Sequence, residues 1–248
     1  MRLPFFALFL LPLALFAQDE RRVSSPNGQV EFRIFVAQPD DGGLSQLAYQ
    51  VFYKGKPALD LSWMGLDIWM QEPALGQKIG LTHWSADTAN KGPCHLMSLE
   101  YIQDGTVGRR LNIEVRAYDD GVAFRYVIPR VTPLYEIPIH DEGTGFSFVE
   151  SDAISRTPVN TTFDLPFVTA EPGPGWVAIT EAGAEHYPHM VLVHAGAADL
   201  VTHLVPGPHD PNIAFEGTTP LDWPWRLIIF GYDKDHLKQS ETFRDMMR

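Results

Sequence analysis

Apolar and polar residues alternate with a period of two along much of the chain. Val30, Phe32, Ile34 and Val36 share one side of an extended segment and Gln29, Glu31 and Arg33 the other; Leu47, Tyr49, Val51 and Tyr53 repeat the arrangement. Successive side chains of a strand point to opposite faces, so this period predicts strands with one buried and one solvent-facing side. Further runs that predict strands are Leu61–Met70, His95–Ile102, Leu111–Tyr118, Val122–Ile128, Ser147–Glu150, Trp176–Glu181, Met190–His194, Leu200–Leu204 and Trp225–Phe230. Lys54–Pro57 reads as a turn, and Asp120-Gly121 predicts a hairpin corner, since glycine enters positive φ without a steric penalty. Trp69–Pro93 is weakly periodic and reads as a long excursion between strands. Only Lys234–Met247, with Leu237, Phe243 and Met247 on a loose helical period, predicts a helix. Many short strands between turn signals predict an all-β sandwich or barrel.

No repeat of 20–50 residues suggests a propeller or solenoid. Met1–Ala17 places one arginine before an apolar run broken by Pro4 and Pro12, with Ala17 ahead of Gln18-Asp19-Glu20. That is the pattern of a secretory signal cleaved after Ala17, and the run is shorter than the ~20 apolar residues of a spanning helix. The expectation is an exported protein, periplasmic or extracellular, that is not held in a membrane once cleaved. Residues 18–231 then form one large β-domain and residues 232–248 a tail. The formal charge of −12 and the lack of a basic patch argue against nucleic-acid binding. Cys94 is the only cysteine, so no internal disulfide forms.

Several segments, in order, resemble the N-terminal domain of glycoside hydrolase family 97. They are Ser25–Gly28 (SPNG), Ser62–Leu66 (SWMGL), Arg116–Tyr126 (RAYDDGVAFRY), Glu142–Phe148 (EGTGFSF), Ile179–Met190 (ITEAGAEHYPHM) and Trp225–Gly231 (WRLIIFG). The resemblance implies a large two-sheet antiparallel β-sandwich, a supersandwich of the galactose-mutarotase-like type. Family members, mostly α-glucosidases and α-galactosidases, set this domain ahead of a (β/α)8 barrel that holds the general acid and the base or nucleophile. A barrel takes ~250 residues, so the expectation is a domain without its barrel.

Glu181 is the residue to single out. It ends a predicted strand and opens a loop, where a rigid scaffold delivers functional side chains. The resemblance implies that it helps bind Ca²⁺ in the barrel's active site; a carboxylate there also suits capping of backbone amides. Ca²⁺ takes 6–8 oxygen ligands, so the isolated chain is expected to hold calcium weakly or not at all, even with Glu185 nearby. His186, His189 and His194 invite a zinc reading, but their spacing matches no zinc motif and Pro188 interrupts them; like His203 and His209 they read as ordinary loop and strand histidines. Asp40-Asp41, Asp119-Asp120 and Asp141-Glu142 are adjacent pairs whose side chains diverge, unlike the facing carboxylates of a glycosidase. They read as turn or solvated residues. No G-x-S-x-G or phosphate-binding loop occurs. Trp63, Trp69, Trp84, Trp176, Trp223 and Trp225 are candidate sugar platforms, although large aromatics serve cores more often; Trp69 and Trp84 are the less bland candidates.

The function expected is therefore a non-catalytic, exported, carbohydrate-associated β-sandwich. Its candidate partners are a glycan and a separately encoded (β/α)8 barrel, with the sheet face that docks on that barrel exposed unless the tail covers it. Two alternatives are half of a split calcium-dependent α-glycosidase and an aldose mutarotase-like epimerase, the latter on fold class alone.

Overall fold

The computed structural model describes residues 18–89, 92–105, 108–131, 133–206 and 210–248. Residues 1–17, expected to be a signal segment, and His209 lie outside them. The strands form a large antiparallel sandwich, and helix among the described residues is confined to Asp152–Ser155, Leu237–Gln239 and Glu241–Met246.

One wall is an eight-stranded sheet in the order Phe167–Glu171, Gly175–Ala182, Trp225–Phe230, Gly121–Ile128, Arg110–Tyr118, Cys94–Gln103 and Ile79–Asp87, with Leu221–Asp222 also paired to Gly121–Ile128. The facing wall begins as Gln18–Ser24, Val30–Ala37, Gln46–Tyr53 and Lys56–Trp63. A second four-stranded sheet, Gly145–Ser147, Asp199–Leu204, Met190–Gly196 and Thr162–Phe163, extends it edge to edge. The seam is a bridge between Leu59 and Phe148 and a hydrogen bond from the Ser147 amide to Ser62 Oγ at 3.0 Å. A further sheet, Phe215–Thr218, Glu136–Glu142, Leu66–Ile68 and Gln71–Leu75, adds Leu66, Ile68, Ile137 and Ile139 to the common core.

The period-two runs explain the core. Val30, Phe32, Ile34 and Val36 meet Leu111, Ile113, Val115 and Ala117 across the sandwich in one apolar cluster. Each fully buried Val, Ile or Phe contributes about 1.5–3 kcal/mol relative to exposure.

Four local expectations are corrected. The excursion over Trp69–Pro93 contains the strands Gln71–Leu75 and Ile79–Asp87; the second is an edge strand with an exposed outer half, which weakens its apolar period. Leu61–Met70 is not one strand, because the chain breaks between Trp63 and Leu66. Lys56 and Pro57 belong to a strand, leaving Lys54-Gly55 as the turn, both at positive φ. At the hairpin corner, Tyr118 pairs with Gly121, so the two-residue loop is Asp119-Asp120, and Gly121 is not at positive φ. Gly121 is needed for space instead: a Cβ there would lie 2.6 Å from the Ile228 carbonyl oxygen and 2.8 Å from Thr242 Oγ1.

That close approach seats the tail. Asp120 accepts hydrogen bonds from the Glu241 and Thr242 amides (2.7 and 3.2 Å) and from Thr242 Oγ1 (2.6 Å), and Tyr118 donates to Asp245 Oδ2 at 2.7 Å. Leu237, Phe243 and Met246 thereby pack on the outer side of the eight-stranded sheet, over a cluster that includes Tyr118, Leu227 and Ile229. The helix of the tail is six residues rather than the fourteen-residue run its pattern suggested, and Ser240 caps it by accepting from the Phe243 amide at 3.2 Å.

Candidate functional site

The strand Trp225–Phe230 runs between Gly121–Ile128 and Gly175–Ala182. Strand alternation sends Trp225, Leu227 and Ile229 outward and Ile228 and Phe230 into the core. Arg226 therefore points inward, and no part of its side chain is exposed. An unpaired buried charge is costly; here the partners come from two other strands.

Glu142 supplies the first, with its side chain fully buried. Arg226 Nε donates to Glu142 Oε1 at 3.0 Å, Nη2 donates to Oε2, and Trp223 Nε1 also donates to Oε2 at 2.6 Å. Two parallel N–H donors on one carboxylate form the strong, direction-fixing version of an ion pair. Glu181 supplies the second. Register places it directly opposite Arg226, whose Nη1 donates to Glu181 Oε2 at 2.9 Å. The Glu181 side chain is 12% exposed, and its other oxygen lies 3.9 Å from Nδ1 of the exposed His189. Tyr126 completes the group: its hydroxyl meets Thr144 Oγ1 at 2.6 Å and accepts the Gly65 amide at 3.0 Å.

The electrostatics follow from two carboxylates sharing one guanidinium. Burial works against the Arg226 cation, but Glu142, by charge and hydrogen bonds, outweighs it and raises the Arg226 pKa. Burial lifts the Glu181 carboxyl above the usual carboxylate range, while the Arg226 charge and the Met190 backbone amide pull it partly back. Burial and the Glu142 charge push the Tyr126 hydroxyl well up, so it stays protonated. With all three ionised, Glu142, Arg226 and Glu181 carry one negative charge in excess, and Glu181 is the member that reaches solvent.

As a calcium site the group is incomplete. Among the described residues no three His, Cys, Asp or Glu side chains converge, and Arg226 occupies one of the two Glu181 oxygens. This donor set fits one ligand of a calcium ion, not the 6–8 oxygens the ion takes.

The other candidates lie elsewhere. Among the described histidines, His189 alone approaches Glu181; His194 is buried against the Pro158 and Ala197 carbonyl oxygens, and His203 Nδ1 pairs with Asp141 Oδ2 at 2.5 Å. Asp119 accepts from the Asn27 amide and Asp41 from the Gly43 amide, so both serve turns, as Asp120 serves the tail. Asp141 and Glu142 diverge as adjacent strand residues do, but the reading of Glu142 as solvated is wrong: it is the buried centre of the cluster. Trp223 is buried, Trp225 is stacked between the Arg116 and Arg125 guanidinium groups (4.7 Å each), and Trp69 meets His140 at 5.4 Å. Trp84 and Trp176 are each 42% exposed.

Arg226 escaped the sequence reading and Glu142 was misread as solvated because each sits in an apolar or glycine-rich run where charge has no periodic meaning. A signal was present. The segments RAYDDGVAFRY, EGTGFSF, ITEAGAEHYPHM and WRLIIFG contribute Tyr126, Glu142, Glu181 and Arg226, one cluster drawn from four separated stretches. An arginine inside an otherwise apolar central strand requires a buried anion, and only the fold reveals which one.

Comparison with known proteins agrees with this architecture. A family 97 enzyme from Pseudoalteromonas sp. strain K8 in complex with acarbose superposes with a TM-score of 0.71 at 19% identity, over 89% of this chain and 38% of that one. A variant of that enzyme in complex with panose gives 0.70 at 19% identity and the same coverage. A β-arabinopyranosidase gives 0.68 at 22% identity, over 86% of this chain and 40% of that one. The chain thus spans well under half the length of these structures. No curated protein sequence matches it. The family model described as glycosyl-hydrolase 97 N-terminal matches residues 23–158 and 150–246, and the chain belongs to that family.

Proposed function

We propose that this chain is a non-catalytic, carbohydrate-associated sandwich of an exported glycosidase system, and that it completes a catalytic (β/α)8 barrel by offering Glu181 as one calcium ligand. The observation behind this reading is the Glu142–Arg226–Glu181 chain. Arg226 is clamped by a fully buried carboxylate and in turn fixes one oxygen of Glu181, and the Met190 backbone amide also donates to this carboxylate, so Glu181 is held on a rigid strand with one uncompensated negative charge. A divalent cation held mainly by another domain would neutralise that charge. The family 97 enzyme of Pseudoalteromonas was solved with acarbose and with panose, which favours α-linked oligosaccharides as the setting; the β-arabinopyranosidase leaves the sugar itself open.

The test is reconstitution. The purified chain alone should hydrolyse neither α-glucosides nor α-galactosides, with or without Ca²⁺, because general acid–base catalysis needs groups within hydrogen-bond reach of the scissile oxygen. Added to a separately expressed family 97 barrel it should support calcium-dependent turnover, and Glu181→Gln should raise the calcium concentration required. Turnover by the chain alone that survives Glu181→Gln would refute the proposal.

A further inference from the structure

We propose that the outer face of the Val30–Ala37, Gln46–Tyr53, Lys56–Trp63 sheet, centred on Trp63, is a binding trough for a neutral oligosaccharide. The proposal rests on the carbohydrate-associated reading above but not on the role of Glu181, which lies on the other wall of the sandwich.

Three observations carry it. First, a separate apolar cluster sits on the solvent side of this sheet: Phe35, Ala37 and Ala48 are buried, and Leu61 and Trp63 pack on them half-buried. Phe35 pairs with Ala48 and Ala48 with Trp63, so a small, fully covered residue lies between two aromatic side chains across three strands.

Second, two hollows of about 500 Å3 and 490 Å3 share Asp60, Leu61 and Trp63 in their walls, so they are neighbours on this face at the indole. Beyond it the first continues over Gly143 and Gly145 to Asp199 and Ala195. A side chain at Gly145 would stand 3.4 Å from the Trp63 backbone nitrogen, and its absence keeps the surface beside the indole low. From Val30–Ala37 to Met190–Gly196 the trough crosses five inter-strand steps, roughly 24 Å at the usual strand spacing. That is room for a chain of sugars rather than one.

Third, the rim has the chemistry of hydroxyl recognition. Asp60 and Asp199 flank the indole, and Glu20 and Asp40 stand at the far end. Asp60 Oδ1 already accepts from Gln50 Nε2 and from the Leu61 amide, both at 2.8 Å, which orients the carboxylate and leaves Oδ2 for a ligand hydroxyl. Ionised carboxylates only accept, and sugar hydroxyls donate. No Lys or Arg lines either hollow, so phosphate, sulfate and uronate groups would meet uncompensated negative charge. The C–H face of a pyranose on an indole, between carboxylates, satisfies every one of these groups.

The experiment titrates the purified protein with maltoheptaose, cellohexaose and polygalacturonate, following tryptophan fluorescence and backbone amide shifts by NMR. At least one neutral probe should bind saturably, with shifts confined to residues around Trp63, and polygalacturonate should not. Trp63→Ala should weaken binding by at least about tenfold, the loss typical of an aromatic anchor, whereas Trp176→Ala and Glu181→Gln should leave it unchanged. Because Trp63→Ala also disturbs packing, Asp199→Lys provides a second arm that leaves the indole in place and should weaken binding too. No saturable signal from either neutral probe at millimolar concentration, or saturable binding of polygalacturonate, overturns the proposal. So does a Trp63→Ala effect seen only on association with a family 97 barrel, which would make the trough a protein interface.

Discussion

The two walls of the sandwich use acidic residues in opposite ways. On one, Arg226 of the eight-stranded sheet is buried between Glu181 of the neighbouring strand and Glu142, which reaches it from the further sheet. On the other, Asp60, Asp199, Asp40 and Glu20 stand around half-buried aromatic surface with no cation among them. The first arrangement positions one charge within fractions of an ångström at the cost of desolvation. The second leaves its carboxylates open to solvent, with Asp199 partly covered. The difference teaches that position, not count, separates a structural acid from a recognising one: nothing in an Asp-Glu pair on paper distinguishes Asp141, bound to His203, from Glu142, enclosed beside Arg226.

The largest expected effect comes from breaking the first wall. Arg226→Met leaves Glu142 buried without its counter-charge and should cost about 3–5 kcal/mol, the usual consequence of removing one partner of a buried pair. Urea unfolding monitored by circular dichroism measures it. A change below about 1 kcal/mol would mean that water reaches Glu142, and the contrast between the walls would collapse.

A paired truncation sharpens the comparison. Trp223→Ala removes a buried indole together with a donor to Glu142, and should cost about 3–5 kcal/mol. Trp63→Ala, whose side chain is only partly buried, should cost clearly less in the same unfolding experiment. Equal losses would place Trp63 in the structural core and remove the case for a trough.

The same contrast shows what was legible in the sequence. Period-two runs located about half of the strands, the long central ones of both walls among them, because burial on one side leaves a direct imprint on residue choice. The edge strand Ile79–Asp87 left little imprint, since much of it touches nothing apolar. Gly121 was noticed for the wrong physical reason: its neighbours across the sheet and in the tail demand a bare Cα, and those neighbours are more than 100 residues away in the chain. Glu181 was visible as a strand-end acid. Its partner Arg226 was not, because pairing across strands depends on a register that no local pattern encodes.

The smallest effect is the most informative about Glu181. Its carboxyl is raised above the ordinary range because burial and the nearby Glu142 charge outweigh Arg226 and the Met190 amide. A raised folded-state pKa means that the native protein binds this proton more readily than the unfolded chain does. Ionised Glu181 is therefore a net burden on stability above its folded pKa, and the burden disappears as pH falls through that value. Glu181→Gln keeps an oxygen for Arg226 Nη1 and removes the excess charge, so at neutral pH the variant should be slightly more stable than the natural protein. The advantage should shrink on acidification and vanish once Glu181 is protonated. Thermal unfolding of both proteins across the pH range measures this. A variant that is less stable at neutral pH and gains on acidification would show that Arg226 already satisfies Glu181 fully, leaving no uncompensated charge for a cation to meet.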